Sequence, residues 1–103
     1  MAATVYWPNK SPAEVDDVGI DWSPFLSKLA EVVGPQTVTV STWTREAGTA
    51  TASSPSIDTD GSGTNVRLSG GGLVGESNRF RNDVTLSNGA VYQAWAVFKI
   101  RAA

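Results

Sequence analysis

The sequence predicts an all-β fold, an antiparallel sandwich of short strands, and two observations carry that prediction. Runs rich in Val, Thr, Trp, Phe and Ile are separated by turn-forming residues at short intervals. Within several of these runs apolar and polar residues alternate with the period of two that marks a half-buried strand. A chain of 103 residues suits one core.

Thr37 to Trp43 alternates strictly, which puts Val38 and Val40 on one face and Thr37, Thr39 and Ser41 on the other. Asn65 to Ser69 turns Val66 and Leu68 inward in the same way and reads as a central strand. Phe80 to Leu86 gathers Phe80, Val84 and Leu86 on one side, and Tyr92 to Ile100 gathers Tyr92, Ala94, Ala96, Phe98 and Ile100. A two-residue Asn88-Gly89 turn would join the apolar face of one of these strands to the polar face of the other. A three-residue loop over Asn88, Gly89 and Ala90 avoids this and pairs Leu86 with Tyr92, Val84 with Ala94 and Phe80 with Phe98.

One segment reads as helical. Ser23-Pro24 offers an N-cap and a first-turn proline, Phe25, Leu29 and Val32 recur at helical spacing, and Gly34-Pro35 ends the run after about two turns. This helix is expected to plug one end of the sandwich with Phe25 and Leu29. Ahead of it, residues 1–17 carry two prolines and mixed polarity, so an extended N-terminal arm that docks on a neighbour is expected, with the sandwich over residues 18–103; the alternative is a first strand of the domain itself, with Val5 and Trp7 facing inward.

Composition excludes several kinds of chemistry. There is no cysteine and no histidine, hence no disulfide, thiolate nucleophile, zinc-thiolate site or histidine-based triad. Neither lysine nor tyrosine stands beside an obvious activating partner, so the chain is read as non-enzymatic, with no cofactor and no metal. Eight basic against ten acidic residues, a net charge of -2, gives no electrostatic reason to bind nucleic acid or an anionic membrane. No apolar run approaches the roughly 18 residues of a membrane span, and residues 1–10 lack the pattern of a signal peptide. Synthesis and assembly in a cytoplasm are expected.

Two motifs imitate ligand sites. Gly70 to Gly75 satisfies G-x-G-x-x-G, but a β-alternating stretch follows it instead of the helix that would receive a pyrophosphate, so it reads as a bulged loop between strands. Asp58 to Gly63 matches the opening of a calcium loop, yet Ser69 stands where the bidentate acid belongs, and a solvated turn is the default.

Four tryptophans divide between fold and surface. Trp22 and Trp43 are expected to anchor the core. Trp7, with Val5 and Tyr6 in the arm, and Trp95, on the less apolar face of the last strand, are expected to touch partners. Arg79 and Arg81 lie opposite Phe80 and read first as a plain solvated face, with contact to acidic neighbours of a partner as the functional alternative.

The order of Lys10-Ser11-Pro12-Ala13-Glu14-Val15, Gly19-Ile20-Asp21-Trp22-Ser23, Ser41-Thr42-Trp43-Thr44 and Val66-Arg67-Leu68-Ser69-Gly70-Gly71, closed by a final hairpin, resembles the fibre-tail adaptors of tailed phages. The chain departs from that family at Lys28 to Gln36, where a tight turn is usual, and at Arg67, where an aromatic often lies. The resemblance implies an immunoglobulin-like sandwich in a virion. It also implies multicopy contacts with other virion proteins of the tail, neck, fibre or capsid. A capsid decoration protein and, further off, a carbohydrate-binding module are the alternatives. Copy number per particle would separate the first of these from an adaptor.

Overall fold

The computed structural model describes residues 4–102. Along the chain come β1 (Thr4–Tyr6), β2 (Asp16–Asp21), α1 (Ser23–Val33), β3 (Val38–Ala47), β4 (Ala50–Ile57), β5 (Gly63–Gly70), β6 (Ser77–Leu86) and β7 (Val91–Lys99). One sheet has the order β1-β7-β6-β3 and the other β2-β5-β4. The pairing is antiparallel except between β1 and β7, which run parallel. The core lies between the sheets: Ile20, Val66 and Leu68 come from the smaller one, and Val38, Phe80, Val84, Leu86, Ala96 and Phe98 from the larger. This is the expected immunoglobulin-like sandwich, with β5 as the central strand of its sheet.

Period two explains β6, in which Asn78, Phe80, Asn82, Val84 and Leu86 are all buried. The hairpin that follows has a three-residue loop, but over Ser87, Asn88 and Gly89: the Leu86 N–H donates to the Ala90 carbonyl at 2.8 Å. Val84 therefore faces Tyr92, Asn82 faces Ala94 and Phe80 faces Ala96, two residues away from the expected register. Such a loop needs its left-handed residue last, and Gly89 (φ 89) takes that place where Ala90 would be strained. The slip of two keeps every side chain on its expected face.

In β3 the expected alternation breaks. Val38 pairs with Leu86 and Val40 with Thr85, so Thr39 is an extra residue on its strand. The bulge reverses the faces beyond it. Val38 is buried, Val40 is half exposed, and Ser41 and Trp43 turn inward opposite Val84 and Asn82.

Helix α1 has eleven residues, about three turns, because nothing between Lys28 and Val33 interrupts it before Gly34. The departure from the family at Lys28 to Gln36 is thus the second half of this helix and its exit. Its N-cap is Trp22 and not Ser23, with no side-chain cap. The Asp21 carboxylate instead accepts the Ser23 N–H at 2.9 Å. Leu26 is buried, while Phe25 and Leu29 pack against the core from its edge.

The N-terminal segment is part of the sheets. Thr4, Val5 and Tyr6 pair with Trp95, Ala96 and Val97, and Lys10 bridges to Ile100. The boundary expected after Asp17 falls inside β2. Trp7 is buried against Trp43, Phe98 and Phe80, with ring centroids 5.5, 6.1 and 6.3 Å away. Its indole N–H donates to the Gly19 carbonyl at 2.9 Å, tying the larger sheet to β2. Gly19 also lets β2 lie close against β5 in its own sheet, since a Cβ there would stand 2.4 Å from the Thr64 carbonyl oxygen.

Candidate partner-docking face

The solvent side of the four-stranded sheet follows from its registers. Thr44, Arg81, Trp95 and Thr4 form one row across the four strands, and Ala47, Arg79, Val97 and Tyr6 form the next. Four of the six residues expected to touch partners, Tyr6, Arg79, Arg81 and Trp95, therefore share this face. Val5 and Trp7 do not. They alternate with Tyr6 and point into the sandwich, where Trp7 is a core residue and Val5 packs against the core.

One carboxylate organises the middle of the face. Glu46 accepts the Arg79 Nε at 3.0 Å, the Trp95 Nε1 at 2.9 Å and an Arg81 guanidinium nitrogen at 3.2 Å. The Arg79 guanidinium also lies over the Trp95 ring, 5.4 Å from its centroid. On the other side, Arg81 Nε donates to Asp83 at 3.0 Å and Gln93 donates to Asp83 at 2.7 Å. Asp83 first, and Glu46 after it, raise the Arg81 pKa above its ordinary value. The acidic neighbours of the two arginines thus come from the chain itself. This holds the half-buried Trp95 ring in one orientation between Glu46 and Arg79.

Beside this network the sheet holds an open groove of about 470 Å³ whose exposed wall area is mostly apolar, with Tyr6, Ala47 and Val97 in its lining and Ser77, Arg79 and Lys99 as polar members of it. Tyr6 is 81% exposed.

A second constellation was not visible in the sequence. Lys10 is completely buried, and its ammonium donates to the Ser11 carbonyl at 2.8 Å and to the Gly70 carbonyl. Glu14 accepts the Ser11 N–H at 2.7 Å and Arg101 at 2.6 Å. Hydrogen bonds from Ser11, then the charges of Arg101 and Lys10, outweigh desolvation and lower the Glu14 pKa. The Lys10 to Glu14 turn therefore holds the glycine-rich β5–β6 loop and Arg101 together. Only the resemblance of the Lys10 to Val15 segment singled these residues out, because a lone lysine among prolines otherwise reads as solvated.

The imitation ligand motifs resolve into backbone geometry. Gly70 leads through a loop directly into β6. In the other, the Asp58 carbonyl accepts the Gly61 N–H at 2.8 Å, Asp60 accepts the Ser62 N–H at 3.0 Å, and Asp58 accepts Asn65 Nδ2 at 2.7 Å. Among the described residues no group of three or more acidic side chains is placed to hold a metal.

A search of curated proteins finds no match to this chain. A family model does match, described as "Podophage GP4 fiber-tail adaptor protein gp77", and nothing in that match favours capsid decoration. It spans residues 10–99, which takes in Lys10 and Glu14 but not Arg101, both sheets apart from β1, and all of the candidate face except Thr4 and Tyr6. The chain therefore belongs to the podophage fibre-tail adaptor family.

Proposed function

We propose that the chain is a non-enzymatic connector that joins tail and fibre proteins in the virion, and that it does so through the outer face of the β1-β7-β6-β3 sheet. The observation that carries this reading is the set of Arg79, Arg81 and Trp95 on one carboxylate, Glu46, beside exposed Tyr6 and an apolar groove. Oriented aromatics and arginines that spend no entropy on ordering are what a protein interface uses as anchors. Each contact can be modest, because several copies in one particle act together. Assembly in the host cytoplasm agrees with a chain that needs no disulfide.

The test is the double substitution Tyr6→Ala with Trp95→Ala. Both side chains lie on the solvent side of the sheet, so the far-UV circular dichroism should be unchanged, and the melting temperature should fall only by what the lost Trp95 contacts to Glu46 and Arg79 contribute. Incorporation into particles, measured by complementing a deletion with the variant, should fall at least tenfold. Normal incorporation of a folded variant would remove this face from the interface.

A further inference from the structure

The end of the molecule beside the groove carries an aliphatic tip that the chain itself does not cover. The β5–β6 loop projects Leu73 and Val74, 78% and 63% exposed. The loop is tied at its base by the buried Lys10 ammonium on the Gly70 carbonyl and by the Gly75 N–H on the Ile100 carbonyl at 2.7 Å. The Glu76 N–H closes the tip onto the Leu73 carbonyl at 2.9 Å, and the Glu76 carboxylate accepts the Thr49 N–H and hydroxyl, both at 2.8 Å. Two large aliphatic side chains are thus held out into water by a framed loop, which pre-pays the ordering cost of an interface.

We propose that the occupant of the groove is a second copy of this chain: Leu73 and Val74 of each copy seat in the groove of the other. The inference rests on the reading of the outer sheet face as a contact face, and it names one of the partners that face meets. Three features support a second copy. The chain carries both halves of the contact, an apolar tip and an apolar groove that the tip's own residues do not line. The tip closes next to Ser77, a wall of the groove, so both halves share one end of the molecule. A two-fold axis at that end makes the exchange reciprocal, whereas a head-to-tail ring needs them on opposite sides. Charge agrees as well, since the acidic Glu76 follows the tip and the groove wall carries the basic Lys99 and Arg79. Two such small contacts fall below the area of a stable dimer, so the association is weak in free solution and strengthened by assembly in the particle.

The absence of cysteine makes the test clean. A Leu73→Cys chain is mixed with a Val97→Cys chain, and separately with a Ser77→Cys chain, under mild oxidation. Each mixture should give a covalent mixed dimer well above that formed with a Ser53→Cys chain, whose cysteine sits on β4 of the other sheet. Sedimentation equilibrium of the wild type should show a monomer–dimer equilibrium at rising concentration. The pair Leu73→Asp and Val74→Asp should weaken it at least tenfold with the melting temperature unchanged. Cross-linking no greater than the control, a monomer at every concentration, or species larger than dimers would each overturn the proposal. If it fails while the Tyr6 and Trp95 variant still drops out of particles, the docking face stands and only the second copy is lost.

Discussion

Asn82 is the residue on which the two sheets agree. Its side-chain oxygen accepts the Trp22 Nε1 at 3.1 Å and the Thr64 hydroxyl at 2.7 Å, while its nitrogen donates to the Ser41 hydroxyl at 2.9 Å and the Thr42 carbonyl at 3.0 Å. Every hydrogen-bonding position of the amide is used, in a site with no solvent access. Asn82→Ala would leave the Trp22 N–H and the Thr64 hydroxyl unpaired in the interior, at about 1 to 3 kcal/mol each. A total loss of about 3 kcal/mol in urea unfolding is the expected result, and a loss under about 1 kcal/mol would show that water replaces the amide. Asn78 has a similar part, accepting the Ala50 N–H at 3.0 Å. Neither asparagine was legible as an inward residue, because polarity at alternate positions of β6 does not say which face a strand buries. Phe80, Val84 and Leu86 on the same parity were legible, and they place the asparagines once the strand is accepted. Lys10 had no such neighbours to reveal it.

The elements show the same division between pattern and pairing. Strands β5, β6 and β7 were readable because long runs with period two commit to a face. The bulge at Thr39 was not, since one extra residue leaves the local pattern of Thr37 to Trp43 intact and shows only against β6. Glu46 went unnoticed for a related reason: it meets Arg79 and Arg81 only through a register set by strands far apart in sequence. Strand β1 was read first as an arm, and as a strand with Val5 and Trp7 inward only in the alternative. Three residues between a start and two prolines carry too little pattern, and what makes them a strand is the open edge of β7. This gives the segment a structural duty that a dangling arm would lack. Deleting residues 1–14 removes the β1 pairing, Trp7 from the aromatic cluster, and the Lys10 and Glu14 ties. It also bares β7 as an unpaired edge. The truncated chain is expected in the insoluble fraction on expression, while Tyr6→Ala alone stays soluble. A soluble truncation with a native circular dichroism spectrum would return these residues to the role of an accessory arm.

At the scale of the whole molecule the charges sit outside the core, with Lys10 the exception, and they set how stability responds to acid. Glu14, Asp17, Asp21, Asp60 and Glu76 all have pKa values lowered from their ordinary 4.5 and 3.8. The first cause is a hydrogen bond in each case: from Ser11, Arg67, Ser23, Ser62 and Thr49 in that order. A carboxylate whose pKa is lower folded than unfolded adds stability above its unfolded value and loses it as pH falls through the folded one. With no histidine, no side chain has an ordinary pKa between about 5 and 8. The melting temperature should therefore be nearly flat from pH 8 to pH 5 and decline as pH falls below about 4.5, where unfolded glutamates begin to bind protons ahead of folded ones. All five groups lie at the surface, so salt should soften the ion-pair part of that decline at Asp17 and leave the hydrogen-bonded part at Glu76. Glu76→Gln separates the two, because the amide oxygen can still accept from Thr49 but no longer titrates. The variant should melt below the wild type above about pH 5 and converge with it as the pH falls, and so show a shallower acid decline. A step in melting temperature between pH 6 and 7, or a Glu76→Gln curve with the same acid slope as the wild type, would show that other groups govern the response.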